Sequence, residues 1–198
     1  GGPDFFPTPI QYPDSIAKEV AIVDRTPLET PRSISRAYAA SIEAAQRRIQ
    51  IVNPYFVPTK SIRTAIKSAL KRGTEVEIMI PAVSDIPFTP EASFYIAHKL
   101  MKDGAKIYMF NDGFHHSKVM MVDSTFCTVG TANLNSRSLR YDYETNAFIF
   151  DPVTTHLLNK MFERDKQNST LMTPQTWKKR SSWKKFVGWV ANLLTPFL

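Results

Sequence analysis

Apolar and polar positions along the chain follow two periods, and each predicts an element. Ile49–Phe56 is largely apolar, reads as a strand and ends before Pro58. From Thr59 to Arg72 the apolar residues Ile62, Ile66, Ala69 and Leu70 make a helical stripe stopped by Gly73. Glu75–Ile80 alternates, with Val76, Ile78 and Ile80 apolar, and predicts a strand. Thr89–Lys102 predicts a helix with Pro90 in its first turn and Gly104 as its stop. Lys106–Phe110 reads as the next strand. Ser117–Val122 and Phe126–Gly130 flank Asp123-Ser124-Thr125 and predict a hairpin, and Thr145–Phe150 is a further strand. Ser33 is placed to cap a helix through Ala37, Ala40, Ala44 and Ala45. Asp151-Pro152 is a cap and first-turn pair for a helix ending near Lys166. Strands alternating with helices, plus one hairpin, indicate an α/β domain: a mixed β-sheet flanked by helices.

Residues 1–33 differ. Pro3, Pro7, Pro9, Pro13, Pro27 and Pro31 block long helices and central strands, so this stretch reads as an irregular connector. The expected organisation is a connector at 1–33, a domain at 34–168 and a tail at 169–198.

The chain has 198 residues, 43% of them hydrophobic and 22% charged, which excludes intrinsic disorder and collagen. A single cysteine, Cys127, excludes an internal disulfide. No apolar run approaches the ~18 residues of a spanning helix. The first residues lack a charged start and an apolar stretch, so no signal peptide is expected. The protein begins in the cytoplasm, or this chain is cut from something longer. The net charge of +7 is uneven. Residues 1–165 hold nineteen bases against eighteen acids, whereas Lys166, Lys178, Lys179, Arg180, Lys184 and Lys185 follow with no acid among them. A cationic tail fits an anionic surface, either phospholipid headgroups or nucleic acid, or it is a solvated end.

The chemistry concentrates in residues 116–133, which read His116-x-Lys118, four residues, Asp123, six residues, Gly130-Thr131-x-Asn133. On a strand, His116 and Lys118 share a face and His115 points away. The hairpin returns the chain alongside, bringing Thr131 and Asn133 back toward His116, with Gly130 allowing a close backbone approach. An imidazole attacks or protonates near neutral pH. An ammonium and an amide hold an anion and stabilise charge that builds on it. That chemistry suits phosphoryl transfer through a phosphohistidine.

This string resembles the HKD signature of the phospholipase D superfamily, H-x-K-x4-D-x6-G-[S/T]-x-N. A chance match has odds on the order of one in 10⁵ or 10⁶. Glu144, in Tyr143-Glu144-Thr145-Asn146, sits where family members carry a Glu. The run Asn133-Leu134-Asn135-Ser136-Arg137-Ser138 resembles the "NLDxRS" stretch of bacterial cardiolipin synthases. Pro54-Tyr55-Phe56-Val57-Pro58 resembles their "PYFvP" segment, and Gly73, Ile80-Pro81 and Asp85 follow the same pattern. The resemblance covers roughly residues 34–150 and is nearest to the C-terminal half of a cardiolipin synthase. Three positions depart from it: Thr131 replaces the usual Ser, Asn135 the usual Asp, and Asp142 a frequent Asn.

The resemblance implies the roles. His116 is the nucleophile or the general acid. Lys118 and Asn133 bind phosphate oxygens with Thr131 in support. Glu144 accepts a hydrogen bond from the far nitrogen of a motif His. Asp123 belongs to the motif's catalytic set by name, yet its place at the hairpin turn gives it a structural part, pairing with backbone or a basic residue. Neither a metal nor any other cofactor is expected, because the lysines supply positive charge. The family uses two motifs, one His attacking phosphorus and the other protonating the leaving alcohol, whereas this chain has one. His98 and His156 lack a Lys at i+2 and read as packing or surface residues. The other half-site is therefore a missing N-terminal HKD half or a second copy of the chain. The first is favoured, because the Pro-rich opening resembles the connector between cardiolipin synthase halves.

The implied reaction joins two phosphatidylglycerol molecules into cardiolipin at a bacterial inner membrane. In the tail, Trp183, Phe186, Val190, Leu193 and Leu194 share a broad helical face behind a basic cluster. That face lies at an anionic membrane surface or packs on the domain. Two other functions stay open: a homodimeric phospholipase D-type phosphodiesterase or endonuclease, and a non-catalytic lipid-binding half. The near-neutral body argues against nucleic acid as partner.

Overall fold

The computed structural model describes residues 18–84 and 89–193. Among these, eight strands form one mixed sheet. In chain order the elements are β1 (Glu19–Arg25), α1 (Ser33–Ala44), β2 (Arg48–Val52), α2 (Lys60–Lys71), β3 (Glu75–Pro81), α3 (Thr89–Lys102), β4 (Lys106–Phe110), β5 (Val119–Val122), β6 (Phe126–Gly130), α4 (Ser136–Arg140), β7 (Glu144–Phe150), α5 (Pro152–Gln167), β8 (Ser169–Leu171), α6 (Pro174–Lys179) and α7 (Ser182–Leu193). The spatial order is β1-β7-β6-β5-β2-β3-β4-β8. The β2–β3 and β3–β4 pairs are parallel, with α2 and α3 as their crossovers, and the remaining pairs are antiparallel.

Both faces of the sheet are covered, so central strands read as apolar runs rather than alternating ones. Ile49, Ile51, Val76, Ile78 and Ile80 join Ile34, Tyr38, Ile62, Ile66 and Leu100 in the larger core. The intervening Val52 and Met79 turn to the opposite face, with Met121, Cys127 and Phe162 of α5. That second face also carries a polar cluster. Glu77, 1% exposed, accepts from Arg48, from Gln50 at 3.0 Å and from Lys166 at 2.9 Å. Burial raises the Glu77 pKa, yet the Lys166 and Arg48 cations outweigh it and hold the carboxyl below its ordinary range. Lys166 is thus bound within the domain rather than part of a free cationic tail.

Two expectations need correction. Residues 19–25 of the supposed irregular connector form β1, paired in register with β7 from Glu19↔Phe150 to Arg25↔Glu144. The prolines stop at Pro13 and resume at Pro27, and the stretch between them, Glu-Val-Ala-Ile-Val-Asp-Arg, has strand propensity. Residues 1–17 and Asp85 lie outside the described residues, as do Leu194 and Pro196. Ser33 is not the cap of α1. Arg32 holds that position with no side-chain bond, and the Ser33 hydroxyl donates to the carbonyl of Asp24. The tail folds as α6 and α7. Gly188 lies against α3, where an added Cβ would stand 2.5 Å from the Glu91 carbonyl oxygen and 3.1 Å from Tyr95 Cβ. Trp177 stacks on His98 at 4.0 Å, and Arg180 pairs with Glu91 at 2.5 Å. The residues facing the domain are Gly188 and Ala191, while Trp183 (71% exposed), Phe186 (52%), Trp189 and Leu193 stay outside.

Candidate functional site

His116 and Lys118 precede β5, and Thr131 and Asn133 follow its hairpin partner β6, so the hairpin places both ends of the motif together. They line one pocket of about 530 Å³ with Gly130. The strand begins at Val119 rather than Ser117, but His116 and Lys118 still face one another, with Lys118 Nζ 3.0 Å from His116 Nε2 and 2.9 Å from the His116 carbonyl oxygen. An ammonium has only donors, so Nε2 accepts and carries the lone pair. The rings of Phe114 and Tyr55 flank the imidazole at 5.4 and 6.1 Å.

Gly130 is required where β6 meets β7. A Cβ there would stand 2.3 Å from Asn146 Cγ and 2.5 Å from the Thr145 carbonyl oxygen. Asn146 beneath it is fully buried and donates to Tyr38 and Thr128, both at 3.1 Å.

Asn133 is held through its loop. Asn53 Oδ1 accepts from Leu134 N at 3.2 Å, and Val57 N donates to the Leu134 carbonyl at 2.9 Å. Asn133 Nδ2 reaches Ser138 Oγ of α4 at 3.4 Å, while Asn133 Oδ1 is buried with no partner among the described residues. Asn135 caps α4, accepting from Ser138 N at 2.8 Å, the same bond an Asp would accept there. Asn53, Ser138 and the two rings were not singled out from sequence. Asn53 directly precedes, and Tyr55 lies within, the Pro54–Pro58 string; Ser138 ends the Asn133–Ser138 string.

Other expected residues are placed apart. Asp123 lies at the turn, outside the pocket lining. Its carboxylate accepts from the backbone N–H groups of Gln46, Arg47 and Arg48 at 2.7–2.8 Å. Burial raises its pKa, but those three donors prevail and hold it below the ordinary carboxylate range. Asp123 and Ser124 have φ of 52° and 63°, the left-handed values of a tight hairpin turn. Asp123 therefore ties the β5–β6 turn to the start of β2. Glu144 bonds to the Thr131 hydroxyl rather than to His116, and it lines an adjoining cleft of about 310 Å³ that also takes in Arg25. Arg25, 1% exposed, donates to the Asp142 carbonyl. His115 turns away to Asp165 at 3.1 Å, and His98 is buried under Trp177. Among the described residues, no group of three or more His, Cys, Asp and Glu is arranged to hold a metal ion. No described helix is long and apolar enough to cross a membrane.

A sequence profile described as "Cardiolipin synthase, PLD-like domain" matches residues 38–166. The chain belongs to that family. Curated relatives in this family include the cardiolipin synthase of Listeria welshimeri, 37% identical over 196 residues, covering 99% of this chain and 40% of the relative. Cardiolipin synthase 1 of Staphylococcus epidermidis is 35% identical over 194 residues, 98% of this chain and 39% of the relative. The chain thus spans about two fifths of the length of the curated relatives it matches. Among solved structures, the fold is similar to Nuc of Salmonella typhimurium, a phospholipase D family member (TM-score 0.69, 18% identity, 79% of this chain and 99% of that one). It is also similar to the phosphatidylserine synthase of Haemophilus influenzae (TM-score 0.64, 19% identity, 90% and 48%). The PLD-like domain accounts for the mixed sheet and for the hairpin that carries the site.

Proposed function

We propose that this chain supplies one half-site of a phosphatidyltransferase that makes cardiolipin from two phosphatidylglycerol molecules through a phosphohistidine. The observation that carries this reading is the pocket in which His116 Nε2, the Lys118 ammonium and Asn133 converge. The Lys118 donors pass from His116 Nε2 to phosphate oxygens when a diester enters, which frees the lone pair and neutralises charge on phosphorus. In the first step a P–N bond forms to one motif imidazole and the P–O bond to glycerol breaks. The other imidazole gives its proton to the departing alkoxide. In the second step the hydroxyl of another phosphatidylglycerol attacks phosphorus, the P–N bond breaks, and its proton returns to that second imidazole. Cardiolipin and glycerol leave, with no nucleotide consumed.

His116 is one imidazole of the pair; the other belongs to a preceding HKD half, or to a second copy of this chain. Glu144, bonded to Thr131 at the pocket rim, is available to orient the opposing half's imidazole rather than His116. Substituting His116→Ala in the full-length protein, with labelled donor and acid-quench detection of phosphohistidine, tests the reading; transfer at the unmodified rate would overturn it.

The setting we infer is an anionic bacterial membrane. On α7 the exposed rings of Trp183, Phe186 and Trp189 stand in file, adjacent centroids 5.9 Å apart; Lys184 is on the same helix, and Lys178 and Lys179 end the preceding α6. Aromatic rings with lysines favour the headgroup layer, each cation contributing about 1 kcal/mol near an anionic leaflet.

A further inference from the structure

A cleft of about 630 Å³ lies between the start of α1, the start of α2 and the end of α4. It gathers Arg32, Arg36, Lys60 and Arg140 with the hydroxyls of Ser35 and Ser61, and no carboxylate lines it. Among the described residues none of these four cationic side chains has an ion pair or hydrogen-bond partner. Elsewhere among the described residues Arg48, Lys67, Lys106, Arg137, Lys166 and Arg180 each face a carboxylate. Four unmatched charges around one concavity focus a positive potential into it. The helices α1 and α2 begin there without side-chain caps, so their first-turn N–H groups add to the same sign.

The cleft is built from the same backbone as the catalytic pocket. Within α4, Ser138 receives the Asn133 amide, and the next two residues, Leu139 and Arg140, line the cleft. The bond from Val57 N to the Leu134 carbonyl ties the loop that leads into α2 to the loop that carries Asn133. Lys118 and Asn133 accommodate one phosphate, the reacting one. An acceptor phosphatidylglycerol brings a second phosphodiester, anionic and unreactive, which must be held while its hydroxyl attacks.

We propose that this cleft binds the phosphodiester of the acceptor glycerophospholipid, with Arg36 and Arg140 as its principal contacts. The proposal rests on the phosphatidyl-transfer reading. The cleft's cations do not touch the reacting phosphorus. They orient the acceptor, whose O–H bond breaks as its oxygen displaces the histidine nitrogen, and they select an anionic acceptor over a neutral one.

The test uses the full-length protein, labelled phosphatidylglycerol vesicles as donor, and two competing acceptors: phosphatidylglycerol itself, giving cardiolipin, and ethanol, giving phosphatidylethanol. In the Arg36→Ala/Arg140→Ala variant, cardiolipin formation is expected to fall by about tenfold or more while phosphatidylethanol formation stays within about twofold. The Arg36→Lys/Arg140→Lys variant, which keeps the charge, retains most cardiolipin formation. An equal fall in both products, or no fall in either, overturns the proposal. Inhibition of both products by a single-stranded oligonucleotide, relieved in the alanine variant, would assign the cleft to a nucleic-acid backbone and also overturn it. Failure of the underlying reading is distinguishable, because the unmodified protein would then form phosphatidylethanol or phosphatidic acid and no cardiolipin.

Discussion

Lys118 Nζ lies 3.0 Å from His116 Nε2, so in the proposed half-site an ammonium engages the imidazole until an anion draws that ammonium off. Replacing Lys118 by Met removes the charge and keeps the length. Transfer in the full-length protein is expected to fall by about 10²–10³-fold, with His116→Ala at least as severe. Steady-state rates and the phosphohistidine burst measure both.

Asp123 predicts the opposite signature. Its carboxylate satisfies three backbone donors, so Asp123→Ala is expected to cost about 2–3 kcal/mol of stability and to leave the turnover of folded protein largely intact. Denaturant titration alongside active-site-normalised rates separates the two. A loss of turnover without loss of stability would return Asp123 to the chemistry.

Acid lability follows from the buried carboxylate of Glu77. A carboxyl held below its ordinary range stabilises the fold at pH above that range, and the contribution is lost as pH falls through its folded value. Glu77 and Asp123 are both shifted downward, so stability is expected to decline as pH drops below about 4. In Glu77→Gln, Arg48 and Lys166 lose their buried partner at a cost of about 2–4 kcal/mol at neutral pH, and the acid slope flattens. Melting temperatures across pH 3–7 check both.

The exposed face of α7 predicts a surface interaction. Trp183→Ser with Phe186→Ser and Trp189→Ser is expected to weaken binding to vesicles rich in phosphatidylglycerol by at least about tenfold, with little change in melting temperature, because Gly188 and Ala191 make the packing face. Flotation with anionic and zwitterionic vesicles measures it. Equal binding by variant and parent would remove α7 from membrane attachment.

The grouping of the candidate residues was legible in the sequence where local rules set it. His116 and Lys118 face one another although β5 starts only at Val119, and the hairpin at Asp123 brings Thr131 and Asn133 back to them. What was hidden depends on contacts distant in the chain. Glu77 looked like the outward residue of an alternating strand, and only the arrival of α5 with Lys166 makes it a buried anion. The proline count obscured β1, whose partner β7 lies more than a hundred residues away. Glu144 could be placed by its spacing, but its bond to Thr131 depends on how closely Gly130 lets β6 approach β7. Propensity alone makes a glycine within a helix a weak point, whereas Gly188 is where α7 touches α3.

That contact has a mechanical consequence. With backbone nearly against backbone at Gly188 and Glu91, α7 sits closely on α3, so that packing sets the direction in which Trp183, Phe186 and Trp189 project. A side chain introduced at Gly188 would push the helix off α3 and re-aim all three rings together, without touching one of them.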